Sequence, residues 1–195
     1  TSQGHMPIEA VDVIRLTGPD YDLLEQDSNL IAIETVVGCT AATRGTWEHL
    51  PDGQMLWRLR VLSPGAVHLS FGFHKFDMPE TVSLQAGTLD GAEVTCVYDA
   101  SSPTPGGGVW TRVLRSDEII IAATMQPDDK RAFERGVELS VVNEGFRGFG
   151  GGSSSRTVFP CQKDVICPIA HPWRCEVKSV GMYTFQLAGG GMSAC

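Results

Sequence analysis

WEHLPDGQMLWRLRVLSPGAVHLSFGFHKFDMPETVSLQAG, residues Trp47–Gly87, decides the fold. Leu56, Arg58, Arg60 and Leu62 alternate with Trp57, Leu59 and Val61. A few residues on, Val67, Leu69, Phe71 and Phe73 alternate with His68, Ser70, Gly72 and His74. A period of two is that of a strand whose successive side chains point to opposite faces. Trp57, Leu59 and Val61 are therefore expected on an inner face, as are Val67, Leu69, Phe71 and Phe73, with His68, Ser70 and His74 outward. Pro51–Gly53 and Pro64–Gly65 separate the runs with turn chemistry, because proline presets φ and glycine accepts a positive one. The stretch reads as antiparallel strands joined by tight turns.

The flanks repeat the pattern. Ile8–Leu16 fits a first strand or a short helix, and Leu30–Val37 is a short β-branched run ending at Gly38. Leu89–Asp99 reads as a strand with Cys96 inside it. Val109 opens another strand, and Ile119–Ile121 is a core run after a polar turn at Ser116 and Asp117. DDKRAFERG, Asp128–Gly136, is a charged connection with about one helical turn, and Val137, Leu139 and Val141 share a face of a last strand. No crossover helix long enough for parallel βαβ units is present. The expected class is all-β, a sandwich or jelly roll over 8–149. GGGSSS at Gly150–Ser155 then reads as a flexible linker (150–156), with a cysteine-rich tail at 157–195. TSQGHMP at 1–7 reads as an expression scar, so His5 carries no role and a native leader would have been removed.

Composition excludes several functions. A formal charge of −8, with no basic cluster, argues against nucleic acid and against an anionic membrane surface. No apolar run spans a bilayer. There is no nucleophile elbow of the G-x-S-x-G kind and no phosphate loop, so no catalytic residue and no cofactor is assigned. Asp20, Asp22, Glu25 and Asp27 lack EF-hand spacing and read as a solvated acidic face rather than a calcium site, as do Asp128 and Asp129. His68 and His74 have the spacing of a surface metal pair, but an ordinary polar face is the simpler reading, and no metal is assigned. His49, near a turn, points to nothing by itself. Among the aromatics, alternation puts Trp57 and Phe73 inside and leaves Trp47 and Trp110 as candidates for a sugar-binding surface, against plain rim packing.

The six cysteines are Cys39, Cys96, Cys161, Cys167, Cys175 and Cys195. The last four have the spacing C-x5-C-x7-C-x19-C, without the C-x2-C knuckles of structural zinc, and His171 among them adds little. Disulfides in a secreted protein are the favoured reading.

CQKDVICP, then EVKSVGMYTF, then MSAC, resembles the opening of the catalytic domain of lysyl-endopeptidase-like, trypsin-like secreted bacterial serine proteases. Cys161, Asp164, Val165, Cys167 and Pro168 match the first segment, Val180 and Tyr183 the second, and Ser193–Cys195 the start of the third. LWRLRVLSPGA, Phe73-x-x-Phe76-x-x-Pro79 and Val142-x-x-GFRGF resemble the propeptide region before that domain, so the similarity covers about residues 45–195. The PIAHPWRC insertion with Cys175 and the glycines before Met192 depart from the family.

The resemblance implies a truncated first part of a double β-barrel at 157–195. It also implies that the catalytic triad lies beyond Cys195, so that this chain alone is inactive and belongs to a serine endopeptidase precursor. Its partner would be the protease catalytic domain, in cis or as a separate chain. Cys161, Cys167 and Cys195 would seek partners in that domain, Cys175 has no counterpart, and Cys39–Cys96 would be the sandwich's own disulfide. The expected role is a secreted propeptide that assists folding or latency. The alternatives are a secreted adhesion or glycan-binding sandwich using Trp47 or Trp110, and an unrelated structural domain with all six cysteines paired internally.

Overall fold

The computed structural model describes residues 6–21, 30–104, 106–147, 184–187 and 191–194, the last two segments by backbone. Its strands form two sheets. In the first, β4 (Met55–Leu62) pairs with β9 (Glu118–Met125), which pairs with β7 (Ser83–Thr88). The other edge of β4 is shared end to end by β3 (Thr46–His49), antiparallel, and β1 (Val13–Arg15), parallel. In the second, β10 (Val137–Gly145) lies between β2 (Ala32–Thr40) and the successive strands β5 (His68–Phe73) and β6 (Lys75–Phe76). The short β8 (Val109–Trp110) flanks β5. At the far edge the hairpin of β11 (Thr184–Leu187) and β12 (Gly191–Ala194) pairs with β2, Gly191 opposite Ile33 and Met192 opposite Ala32. The all-β class stands, as two sheets over one shared core.

The alternation read from the sequence builds that core. Trp57, Leu59 and Val61 are buried from β4, with Ile119, Ile121, Ala123 and Met125 from β9. Leu69, Phe71 and Phe73 from β5 meet them with Leu139 and Val142 from β10. Burying such a side chain is worth about 1.5–3 kcal/mol. The two turns form where expected, with Gly53 at φ 88° and Gly65 at φ 83°. At the first, Gly53 N donates to the Leu50 carbonyl and closes the β3–β4 hairpin.

Several expectations change. Ile8–Ala10 is a 3-10 turn, so the first strand shrinks to β1. Val94–Tyr98 is no ladder strand; its bridges to β7, Gly87–Val94 and Leu84–Tyr98, are isolated, with Thr95 N donating to the Ala86 carbonyl between them. Val67 is 44% exposed rather than inward, because it precedes β5 in the turn. Val141 leaves the face of Val137 and Leu139, since the register shifts between Leu139 and Val141. Val142 joins the core instead. The charged connection holds a 3-10 turn and a short helix, α1 (Lys130–Gly136). Phe133 drops from α1 into the core, edge-on to Trp57 at 5.6 Å and Trp47 at 6.2 Å between ring centroids.

Around the first sheet, Asp12 ties β1 to the β2–β3 connection. Arg44 donates to both its oxygens, at 2.8 and 3.0 Å, and Gly45 N donates at 2.7 Å. These donors, Arg44 foremost, hold the carboxyl at about 2 against the opposing effect of burial.

On the outer face of the second sheet, rings pack over glycines. A Cβ on Gly72 would meet the Trp110 ring at 2.6 Å, and one on Gly145 would meet the His68 ring at 2.0 Å. Gly145→Ala is expected to overpack this face at a cost of about 1–3 kcal/mol. Phe133→Ala is expected to cost about 3–5 kcal/mol. Urea unfolding checks both, the midpoint falling with an unchanged slope.

Candidate functional site at the exit of β10

The last residues of β10 are polar yet buried. Asn143 is 0% and Glu144 1% exposed; beside them on β5 lie His68 at 1% and Ser70 at 3%. Strand alternation sends Glu144 to the core side with Val142 and Asn143 to the opposite side. The Glu144 carboxylate accepts from the Thr35 hydroxyl and, at 2.6 Å, from the Ser63 hydroxyl. Those hydroxyls come from β2 and from the turn before β5. A buried carboxylate requires such donors, because an unpaired charge away from water is costly.

Across the sheet, Asn143 Nδ2 donates to Ser70 Oγ at 3.3 Å. Its Oδ1 is buried with no hydrogen-bond partner among the described residues. His68 Nε2 donates to the Arg147 carbonyl at 3.1 Å while its ring covers Gly145. Arg147 Nη1 donates to the Leu30 carbonyl at 2.8 Å, and Phe146 N to that of Ile31 at 3.1 Å. The chain leaving β10 is thus fastened to the two residues that precede β2. β12 pairs with the next two residues, Ala32 and Ile33. The exit from the sandwich and the strand returning from the tail meet at the start of β2.

Burial lowers the pKa of His68, only partly offset by the Arg147 carbonyl, and the Arg115 charge adds to the lowering. The imidazole is neutral near pH 7, with its Nε2 proton committed to the backbone. The Ser63 hydroxyl is committed to a carboxylate. Among the described residues no group of three metal-ligating side chains exists, and no helix is long and apolar enough to cross a membrane. The arrangement is a polar joint that fixes two chain segments, with no nucleophile held by a base.

The residues singled out from sequence lie elsewhere. Trp47 is half-buried; its Nε1 donates to the Ala41 carbonyl at 3.3 Å, and Lys130 Nζ sits 4.6 Å from its ring centroid. Trp110 is 43% exposed, on the other sheet, with its ring 5.8 Å from that of His74. The two tryptophans share no face, so a glycan platform would rest on Trp110 alone. His68 is buried and His74 exposed, so they make no surface pair.

Cys39 and Cys96 are both free thiols, and the disulfide expected between them is absent. Cys39 is buried in β2 opposite Leu139, whereas Cys96 faces solvent beside β7 of the other sheet. Asp129 accepts from the Thr81 hydroxyl, and Asp20 is exposed. Asp22, Glu25, Asp27, His171, the 150–156 linker and the cysteines 161, 167, 175 and 195 lie outside the described residues.

Glu144, Asn143, Ser63 and Ser70 went unmarked in the sequence. The one available signal was the polar pair Asn143–Glu144 inside an apolar β run. No protein-family model matches the chain, and no solved structure matches it.

His68 makes stability depend on pH. Its folded pKa is below the unfolded value near 6.5, so its neutral-state stability is complete above about pH 6.5 and falls as pH drops below it. His68→Gln is expected to flatten that part of the stability curve, measured by urea unfolding from pH 7.5 to about 5. For the thiols, burial pushes Cys39 up to about 11. Native-state alkylation with peptide mapping is expected to label Cys96 promptly and Cys39 only on unfolding.

Proposed function

We propose that this chain is the non-catalytic amino-terminal domain of a secreted, lysyl-endopeptidase-like serine protease, and that it assists folding or maintains latency. One observation carries the reading. β12, whose residues Ser193 and Ala194 fall in the protease-like tail, adds to the edge of the sandwich's own second sheet. A strand added to a sheet edge gives main-chain affinity that does not depend on side-chain chemistry. The polar joint at Glu144, His68 and Arg147 fixes the chain where it leaves β10, beside that edge. The sandwich is then the surface on which the first strands of the protease domain settle.

A domain that binds the folded protease stabilises it by mass action and competes with productive opening of its site. Under this reading Cys161, Cys167 and Cys195 pair with cysteines of the catalytic domain. The test adds the purified chain to a mature lysyl-specific serine protease of this class. Cleavage of a lysyl substrate is expected to slow in proportion to added chain. An unchanged rate at high micromolar chain removes the latency role, and an unchanged refolding yield of the denatured protease removes the folding role.

A further inference from the structure

At one end of the sandwich, α1 and the loop after β6 enclose a cleft of about 390 Å³. Lys75 and Asp77, from β6 and the loop after it, and Arg135, from α1, line it, with Met78, Pro79 and Ala132 supplying apolar wall. The cleft is preformed by backbone contact. Asp77 N donates to the Gly136 carbonyl at 2.9 Å, and a Cβ on Gly136 would come within 1.8 Å of the Asp77 carbonyl oxygen. Only glycine permits this approach of helix to loop.

Three charges around the cleft are uncommitted. None of Lys75, Asp77 and Arg135 forms an ion pair among the described residues, although Arg58, Arg60 and Arg44 all do. Arg135 uses only Nε, donating to the Arg131 carbonyl at 3.1 Å, so its terminal nitrogens remain available. Glu138, opposite Lys75 in the strand register, accepts from the Ser140 hydroxyl at 3.3 Å instead of pairing with the lysine. Two cations lining one cleft suit a carboxylate, which a guanidinium can grip with two parallel bonds. Asp77 disfavours a free phosphate dianion there but accepts a backbone N–H. The apolar wall suits the methylenes and backbone of a peptide.

We propose that this cleft binds an extended peptide segment through an acidic side chain, which lies between Lys75 and Arg135 while Asp77 accepts a main-chain N–H of the same segment. The site is separate from the β10 joint, and its occupancy does not depend on the protease reading.

The experiment titrates the isotope-labelled chain with capped Ala-Glu-Ala and capped Ala-Gln-Ala and follows backbone amide shifts. The glutamate peptide is expected to move the amides of residues 75–78 and 132–136, with about tenfold weaker binding of the glutamine peptide. Lys75→Glu with Arg135→Glu is expected to abolish glutamate binding and to admit capped Ala-Lys-Ala. Both residues are solvent-exposed, so the fold is expected to persist, checked by the remaining amide spectrum. If it does not, Lys75→Gln and Arg135→Gln are each expected to weaken glutamate binding several-fold. Equal binding of the glutamate and glutamine peptides, shifts outside the cleft, no shifts at millimolar peptide, or indifference to the charge changes in a folded variant overturns the proposal.

Discussion

The change of face in β10 between Leu139 and Val141 governs what the second sheet can be. Strict alternation from Val137 would carry Leu139, Val141, Asn143 and Gly145 to the core and turn Val142 and Glu144 outward. The shift reverses this. Leu139 and Val142 both reach the core, Val141 moves under Trp110, and Asn143 crosses to Ser70. A one-residue irregularity exchanges the two faces of everything after it, which is why such features are specified tightly wherever one face is buried. The Glu144 joint follows from it, because only on the core side can that carboxylate receive the Thr35 and Ser63 hydroxyls together.

Glycine placement carries the consequence across the outer face. The His68 ring occupies the space above Gly145 and the Trp110 ring that above Gly72, each pair directly opposite in register. A ring lying over a cross-strand glycine covers backbone that would otherwise be open and fixes the pairing of the two strands. In the first sheet the Trp57 ring likewise fills the space at Gly45, in the bend before β3, and its Nε1 donates to the Arg44 carbonyl at 3.0 Å. His68 thereby becomes both a packing ring and a donor to the Arg147 carbonyl, which joins strand pairing to the path of the departing chain.

This arrangement gathers three chain segments at the start of β2. β12 pairs with the edge of β2 that β10 leaves open. The Leu30 and Ile31 carbonyls, just before β2, accept from the departing chain, and Ala32 and Ile33 pair with the returning strand. Four consecutive residues, 30–33, thus hold the chain leaving β10 and the strand β12, through backbone bonds and the Arg147 side chain.

The sequence alone determined the parts that depend on local chain geometry. Trp57, Leu59 and Val61, and Leu69, Phe71 and Phe73, were legible as inner faces because a strand's side chains alternate whatever it packs against. The turns at Gly53 and Gly65 were legible because their φ values admit little else. Only the tertiary structure decided that His68, Ser70, Asn143 and Glu144 would be buried, and which hydrogen-bond partners each would have. Their polarity predicts solvent, and the groups that satisfy them come from far along the chain, as with Thr35 and Glu144, 109 residues apart. It also decided that Cys39 and Cys96 stay apart, Cys39 buried in β2 of the second sheet and Cys96 facing water beside β7 of the first, since spacing along a chain carries no information on which face of which sheet a side chain will occupy.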